Sequence, residues 1–138
     1  MNVTLDGRTY NCNEQYIQYS KASLFRDLNS MEKILNEQDP YEQKRLGKEV
    51  TGYKKSTWES HAPRIMKTVN EEKFSQNKGA KAVLLSIGSK KLGEATKDPL
   101  FGVGFSLRDD DVTDPTKWTG QNLMGHILQD VRQHMKDS

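Results

Sequence analysis

A single cysteine, Cys12, leaves this 138-residue chain with no partner for an internal disulfide, which fits a reducing compartment. Cys12 itself reads as a small buried filler rather than a nucleophile. No apolar run approaches the ~20 residues that cross a bilayer. The start of the chain lacks the basic-then-apolar order of a secretion signal. An intracellular protein, cytoplasmic or nuclear, with no membrane partner is therefore expected. The three histidines, His61, His126 and His134, never take the HExxH spacing that puts two imidazoles on one helical face, so no metal site is expected. A GxSxG nucleophile elbow is missing too. Gly102-Val103-Gly104 opens like a dinucleotide fingerprint, but Leu107 stands where the third glycine belongs. No cofactor is expected. Excess charge is scarce as well: a net +2 neither marks nor excludes a nucleic-acid partner.

What is present is a polar but globular composition, 33% hydrophobic against 29% charged residues, long enough for one domain with a core and a pocket. Val3-Thr4-Leu5 and Arg8-Thr9-Tyr10 flank Asp6-Gly7, the pattern of a tight hairpin. A first helix is predicted from about Asn13 to Phe25. A second begins at Ser30, and Asp39-Pro40 caps and opens a third whose Leu46 and Val50 face inward. Ser56-Thr57-Trp58-Glu59 matches a capping box, predicting a fourth helix from Ser56 towards Phe74, kinked or restarted at Pro63. Residues Ala80 to Leu85 predict a fifth helix that stops at Gly88. Residues 91–95 and 103–107 could pair as two small strands. Met124, Leu128, Val131 and Met135 recur at helical spacing, predicting a last helix over Leu123 to Met135. The fold class is mainly α: a compact multihelical single domain, residues 1–138, with a short N-terminal hairpin and a small β element.

Two segments carry chemistry. Glu14 and Lys21 stand seven residues apart, about two turns of helix, so a carboxylate and an amine leave the same face. Asp98 precedes Phe101-Gly102-Val103-Gly104. Hydrolysis of an N-glycoside develops positive charge at the anomeric carbon, which a carboxylate stabilises or meets with an activated water. Glu14 and Asp98 are the candidates. Where the sugar hangs on an exocyclic amine, the ring can open to an imine, and Lys21 could capture that carbon as a Schiff base. Burial would lower the Lys21 pKa and neighbouring carboxylates would raise it, a balance the sequence leaves open. Each residue also has an ordinary reading. Glu14 and Lys21 could be solvated charges, Trp58 a core aromatic, Asn122 a helix N-cap, and Gly102, Gly104 and Gly120 turn glycines.

Four blocks in order carry a resemblance over nearly the whole chain. Leu5-Asp6-Gly7, Tyr10, Glu14-Gln15-Tyr16, Gln18 and Lys21 come first; Trp58, Arg64 and Met66 follow, then Phe74, Asn77 and Leu84-Leu85-Ser86. Asp98 to Gly104 matches a DxxWGxG loop, and Gly120, Asn122, Leu123, Gly125, Leu128 and Val131-Arg132 close the pattern. The chain thus resembles the NADAR (YbiA-like) family of N-glycosidases and ADP-ribosyl glycohydrolases. Two departures stand out. The family's aromatic segment with Ser-Asn-Phe ahead of the hairpin is not matched, and Phe101 replaces the loop's tryptophan, keeping a stacking face but losing the indole N–H.

The resemblance implies a metal-independent hydrolase. Its catalytic residues would be Glu14 (proton transfer), Lys21 (nucleophile) and Asp98 (ribose hydroxyls or water). Substrate contacts would fall to Tyr16, Gln18, Trp58, Arg64, Phe101, Gly102, Gly104, Gln121 and Asn122. Arg64, Arg108 and Arg132 are candidate phosphate contacts. Two substrates are implied: ADP-ribose on guanine, in nucleic acid or nucleotides, which the small basic excess mildly favours, or ribosylamino-pyrimidine intermediates of riboflavin synthesis. A module that binds ADP-ribose without cleaving it is the non-enzymatic alternative.

Overall fold

The computed structural model describes residues 2–86, 120 and 122–136. They fall into two units, Met1–Asn77 and Lys78–Ser138.

In the first unit, strands β1 (Val3–Leu5) and β2 (Arg8–Tyr10) pair antiparallel with Val3 opposite Tyr10 and Leu5 opposite Arg8. Asp6 and Gly7 both take positive φ, 50° and 78°, the left-handed pair that a two-residue hairpin turn demands. Val3 and Tyr10 point inward and are buried. The outer edge of β1 is met by a side chain. Gln76 accepts from the Thr4 N–H at 2.9 Å and donates to the Thr4 carbonyl at 2.8 Å, so the edge's exposed peptide group is satisfied.

Helix α1 (Asn13–Leu24) follows as predicted and ends in a motif the sequence does not advertise. Arg26, at φ 57°, is the left-handed residue. Its N–H donates to the Ser23 carbonyl at 3.1 Å, and the Asp27 N–H donates to Ala22 at 2.9 Å, a Schellman closure normally built on glycine. Asp27 then caps α2 (Leu28–Asn36) by accepting from the Ser30 N–H, so this helix starts two residues before the predicted Ser30. The same carboxylate accepts from the Thr51 N–H and hydroxyl. These bonds hold its pKa well below the usual carboxylate range. Helix α3 (Pro40–Gly47) is capped by Asp39, with Pro40 in its first turn, as read from the sequence. Ala22, Ile34, Leu46 and Val50 form the core where α1, α2 and α3 meet, with Tyr19, Phe25 and Met31 packed against it.

Helix α4 (Lys55–Gln76) corrects one prediction. The N-cap position is Lys54 and no side chain caps it, so the Ser56–Glu59 capping box does not form. Pro63 lies inside the helix, which neither stops nor restarts there. Near it, Ser60 donates its hydroxyl to the Thr57 carbonyl at 2.8 Å. Trp58, Ala62, Met66, Val69 and Phe74 give α4 its buried stripe.

The second unit contains α5 (Lys78–Ser86) and α6 (Leu123–Lys136), which pack on each other. Leu84, Ile127, Val131 and Met135 are buried. Ile127 is buried where the sequence reading placed Leu128, which is half-buried. The predicted stop at Gly88, the strands at 91–95 and 103–107, and the Asp98–Gly104 loop lie outside the described residues.

Candidate active site

The site begins with how α1 is fixed. Gln15, buried, accepts from the Asn11 N–H at 2.8 Å, and its amide donates to the carbonyls of Ile34, Leu35 and Glu37 at 3.1–3.3 Å. One side chain thereby ties the first turn of α1 to the carbonyls at and just past the end of α2. Gln43, fully buried, donates to Asn11 Oδ1 at 3.0 Å and to the Glu37 carbonyl at 2.7 Å. The Cys12 thiol donates to Gln43 Oε1 at 3.2 Å, so this half-buried cysteine is a hydrogen-bonding residue of the α1–α3 junction rather than an apolar filler.

On the helix so anchored, Glu14, Gln18 and Lys21 stand at successive turns of one face. Burial pushes the Glu14 carboxyl above its ordinary pKa. Lys44, a side-chain hydrogen bond from Gln18, and Lys21 pull the other way. Burial, and then the charge of Lys48, lower the Lys21 amine, and Glu14 opposes them. The balance left open by the sequence thus goes to desolvation at both groups. The two side chains make no ion pair with each other. Lys21 Nζ lies instead 4.7 Å from the centre of the Tyr53 ring and 5.7 Å from that of Trp58. Asn13, one residue before Glu14, donates to Asn70 Oδ1 at 3.1 Å and keeps its own Oδ1 buried without a partner.

An acid shifted towards its protonated form on the same helix face as an amine shifted towards its neutral form is the pairing that proton transfer and carbonyl capture both use. Of the residues predicted from the sequence, Glu14, Gln18, Lys21 and Trp58 come together. Tyr16 and Arg64 do not join them. They line a separate cleft of about 270 Å³ on the far side of α1, with Tyr10, Tyr19, His61 and Ser20. In the second unit Asn122 is buried at φ 50°, and its carbonyl accepts from the His126 N–H at 3.1 Å, an N-cap position. Arg132 is buried. Asp98, Phe101, Gly102, Gly104, Arg108 and Gln121 lie outside the described residues.

Sequence reasoning missed Tyr53, Lys44 and Lys48. Lys44 falls on α3 and Lys48 caps its end, outside the blocks that carry the family resemblance. Tyr53 sits in the short loop before α4, where no periodicity applies. Among the described residues no group of three or more His, Cys, Asp or Glu could hold a metal. No described helix is long and apolar enough to cross a membrane.

A family model for the NADAR domain matches residues 1–136. The chain belongs to the NADAR family. Among its relatives, protein irg-1 of Caenorhabditis elegans is 33% identical over 129 residues, which make up 91% of this chain and 61% of that protein. The NADAR chain thus spans less than two thirds of the nematode relative. N-glycosidase R617 of Acanthamoeba polyphaga mimivirus is 33% identical over 121 residues, 87% of this chain and 71% of that one. The NMR structure of the Escherichia coli protein YbiA superposes with a TM-score of 0.79 at 26% identity, covering 99% of this chain and 74% of that one. The mainly helical, YbiA-like NADAR fold expected from the sequence is the fold found.

Proposed function

We propose that this NADAR chain is an N-glycosidase that hydrolyses an N-linked ribose through a Schiff base on Lys21, with ADP-ribosylated guanine in DNA or nucleotides as its substrate. The observation that carries the reading is the Lys21 amine, its pKa lowered by burial, over Tyr53 and Trp58 on the face it shares with Glu14. The N-glycosidase name of the mimivirus relative supports it.

The chemistry balances as follows. Glu14, protonated, gives its proton to the ribose ring oxygen as the C1′–O4′ bond breaks and the exocyclic nitrogen of the base forms C1′=N. The Lys21 amine adds to C1′. The base nitrogen takes a proton and leaves, and C1′=N(Lys21) forms. Water adds to C1′ with Glu14 as base, the C1′–Nζ bond breaks, and the open sugar recloses. Nothing is oxidised or reduced; the sum is hydrolysis of one C–N bond. Asp98 would orient ribose hydroxyls or the water, and Phe101 would stack on the base. Gly102, Gly104, Gln121 and Asn122 would contact the rest of the substrate. A binder without catalysis has no use for an acid and an amine shifted towards each other's protonation state.

The cleft behind α1 favours the larger substrate. Tyr16 leaves α1 on the side away from Lys21, and Arg64 of α4 lines the same cleft with it, so they would contact a ligand that continues past the ribose, such as the next nucleotides of a strand. The test is ADP-ribose release from an ADP-ribosylated guanine oligonucleotide, with EDTA present and borohydride added to trap the intermediate. Release by wild type, with a mass adduct on Lys21 and none in Lys21→Ala, is the expected result. Release by Lys21→Ala at the wild-type rate would remove the Schiff base. Tight ADP-ribose binding without release would make the chain a reader, and turnover of ribosylamino-pyrimidines alone would move the substrate to the smaller class.

A further inference from the structure

Gly47 ends α3 where it packs on α1. Its backbone is not in the left-handed region, so conformation does not call for glycine here. Space does. A Cβ at residue 47 would land on the Gln18 carboxamide, colliding with Oε1 and Cδ and pressing within 3.3 Å of Cγ. The Gln18 side chain therefore lies folded into the gap that the missing Cβ leaves. It is only 8% exposed, and its Oε1 is buried with no hydrogen-bond partner.

A buried amide with a stranded oxygen is costly, and rotating it would carry that oxygen round to the Glu14 carboxylate. The orientation found turns the oxygen to Gly47 and seats the amide one helical turn from Glu14 on the same face of α1, where it acts to lower the carboxyl's pKa. We propose that Gly47 and Gln18 are positioning residues of the NADAR site, Gly47 by leaving the slot and Gln18 by seating its amide in it beside Glu14. The inference rests on Glu14 being the proton-transfer group of the proposed reaction. Gln18 is thereby given a role other than substrate contact. The atom that an alanine would strike is the end of a flexible side chain, so Gly47→Ala displaces Gln18 rather than α3, and alanine suits a helix better than glycine.

The charges acting on Glu14 come from α1 itself, Lys21, and from α3, Lys44; no group of α2, α4 or the hairpin, which also pack on α1, is among them. Lys48 acts on Lys21. The experiment follows the Glu14 side-chain carboxyl by carbon NMR against pH in the full chain, with the resonance assigned by its loss in Glu14→Gln. This readout needs no substrate, so it decides the positioning even if the chain hydrolyses nothing tested. Gly47→Ala and Gln18→Ala are each expected to raise the Glu14 pKa above its wild-type value. The double variant should match Gln18→Ala alone, because the two substitutions remove one hydrogen bond. In kinetics, the alkaline limb of kcat that protonated Glu14 sets moves up by the same amount while KM stays within about twofold, the split that separates a shifted acid from lost substrate contact. An unmoved Glu14 titration in Gly47→Ala, or additive shifts in the double variant, overturns the proposal. Should Gly47→Ala not fold, Gln18→Met removes the donor at constant length, and an unmoved titration there overturns it equally.

Discussion

Lys21 Nζ sits 4.7 Å from the centre of the Tyr53 ring, and Tyr53 is 44% exposed, so the ring is a wall between the amine and solvent. Phe25 braces it from the side, edge-on, at 5.5 Å between ring centres. Removing the ring should let water reach the amine and move its pKa back towards the ordinary 10.5. Tyr53→Phe keeps the wall and should trap with borohydride at close to the wild-type rate. Tyr53→Ala should trap more slowly at neutral pH, because hydration restored to the ammonium outweighs the cation–π contact of about 0.5–2 kcal/mol that the ring gives it. Trapping rate against pH for both variants checks it, and equal rates would remove Tyr53 from the site.

Glu14 should make folding stability pH-dependent in a direction opposite to that of Asp27. Its folded pKa is raised above the ordinary 4.5. The folded state thus binds the extra proton, an advantage fully present below 4.5 and lost as pH rises through the raised value. Replacing it by a neutral amide removes that dependence. The Tm of Glu14→Gln minus that of wild type should therefore climb from acid to neutral pH, while activity falls about 100-fold or more. Melting curves between pH 4 and 8, a span of about four units around the ordinary carboxylate value, decide it. A difference that falls with pH would mean the carboxyl is not buried.

Arg64 separates the two substrate classes. On an oligonucleotide, Arg64→Ala should lower kcat/KM about tenfold and flatten the salt dependence by about one unit of slope. On a mononucleotide carrying the same ADP-ribose it should change little. Equal losses on both would place Arg64 at the ribose, and no loss on either would leave the cleft without a role in this reaction.

Arg26 offers a stability gain. It holds a left-handed conformation that costs an L-residue roughly 1 kcal/mol and glycine almost nothing. Its side chain has no recorded hydrogen bond or ion pair among the described residues, so Arg26→Gly should raise Tm by a few degrees, about 1 kcal/mol or somewhat less after glycine's unfolded-state entropy. Thermal melts of the two proteins read it directly.

Much of the first unit was legible because local rules and tertiary packing agree there. Asp6-Gly7 could be read as a turn and Asp39-Pro40 as a helix start, since both depend on the residue's own backbone preference. The shared face of Glu14 and Lys21 followed from helical spacing alone, while Gln18 was named only through the family resemblance. The failures share a cause. Ser56 and Glu59 have the spacing of a cap, but the helix gains two residues by starting at Lys55, and the pattern is overruled. Arg26 closes α1 as a glycine would, because hydrogen bonds from Arg26 and Asp27 outweigh the strain. Tyr53 and Gly47 gained their place only when α1, α3 and the loop before α4 came together, and no one-dimensional pattern records such a meeting. Tyr16 and Arg64 were grouped with Glu14 because sequence motifs list residues without saying which side of a helix they leave.

The amide of Gln15 reaches three carbonyls of α2 from the position next to Glu14. Few side chains among the described residues are held by so many bonds, and this one immobilises the peptide on which the acid hangs. The conformational freedom of that turn is surrendered during folding, not when substrate arrives. Catalysis at Glu14 should therefore carry a small entropic share of its activation barrier, and loosening Gln15 should show first as a steeper loss of rate on warming, well before the protein melts.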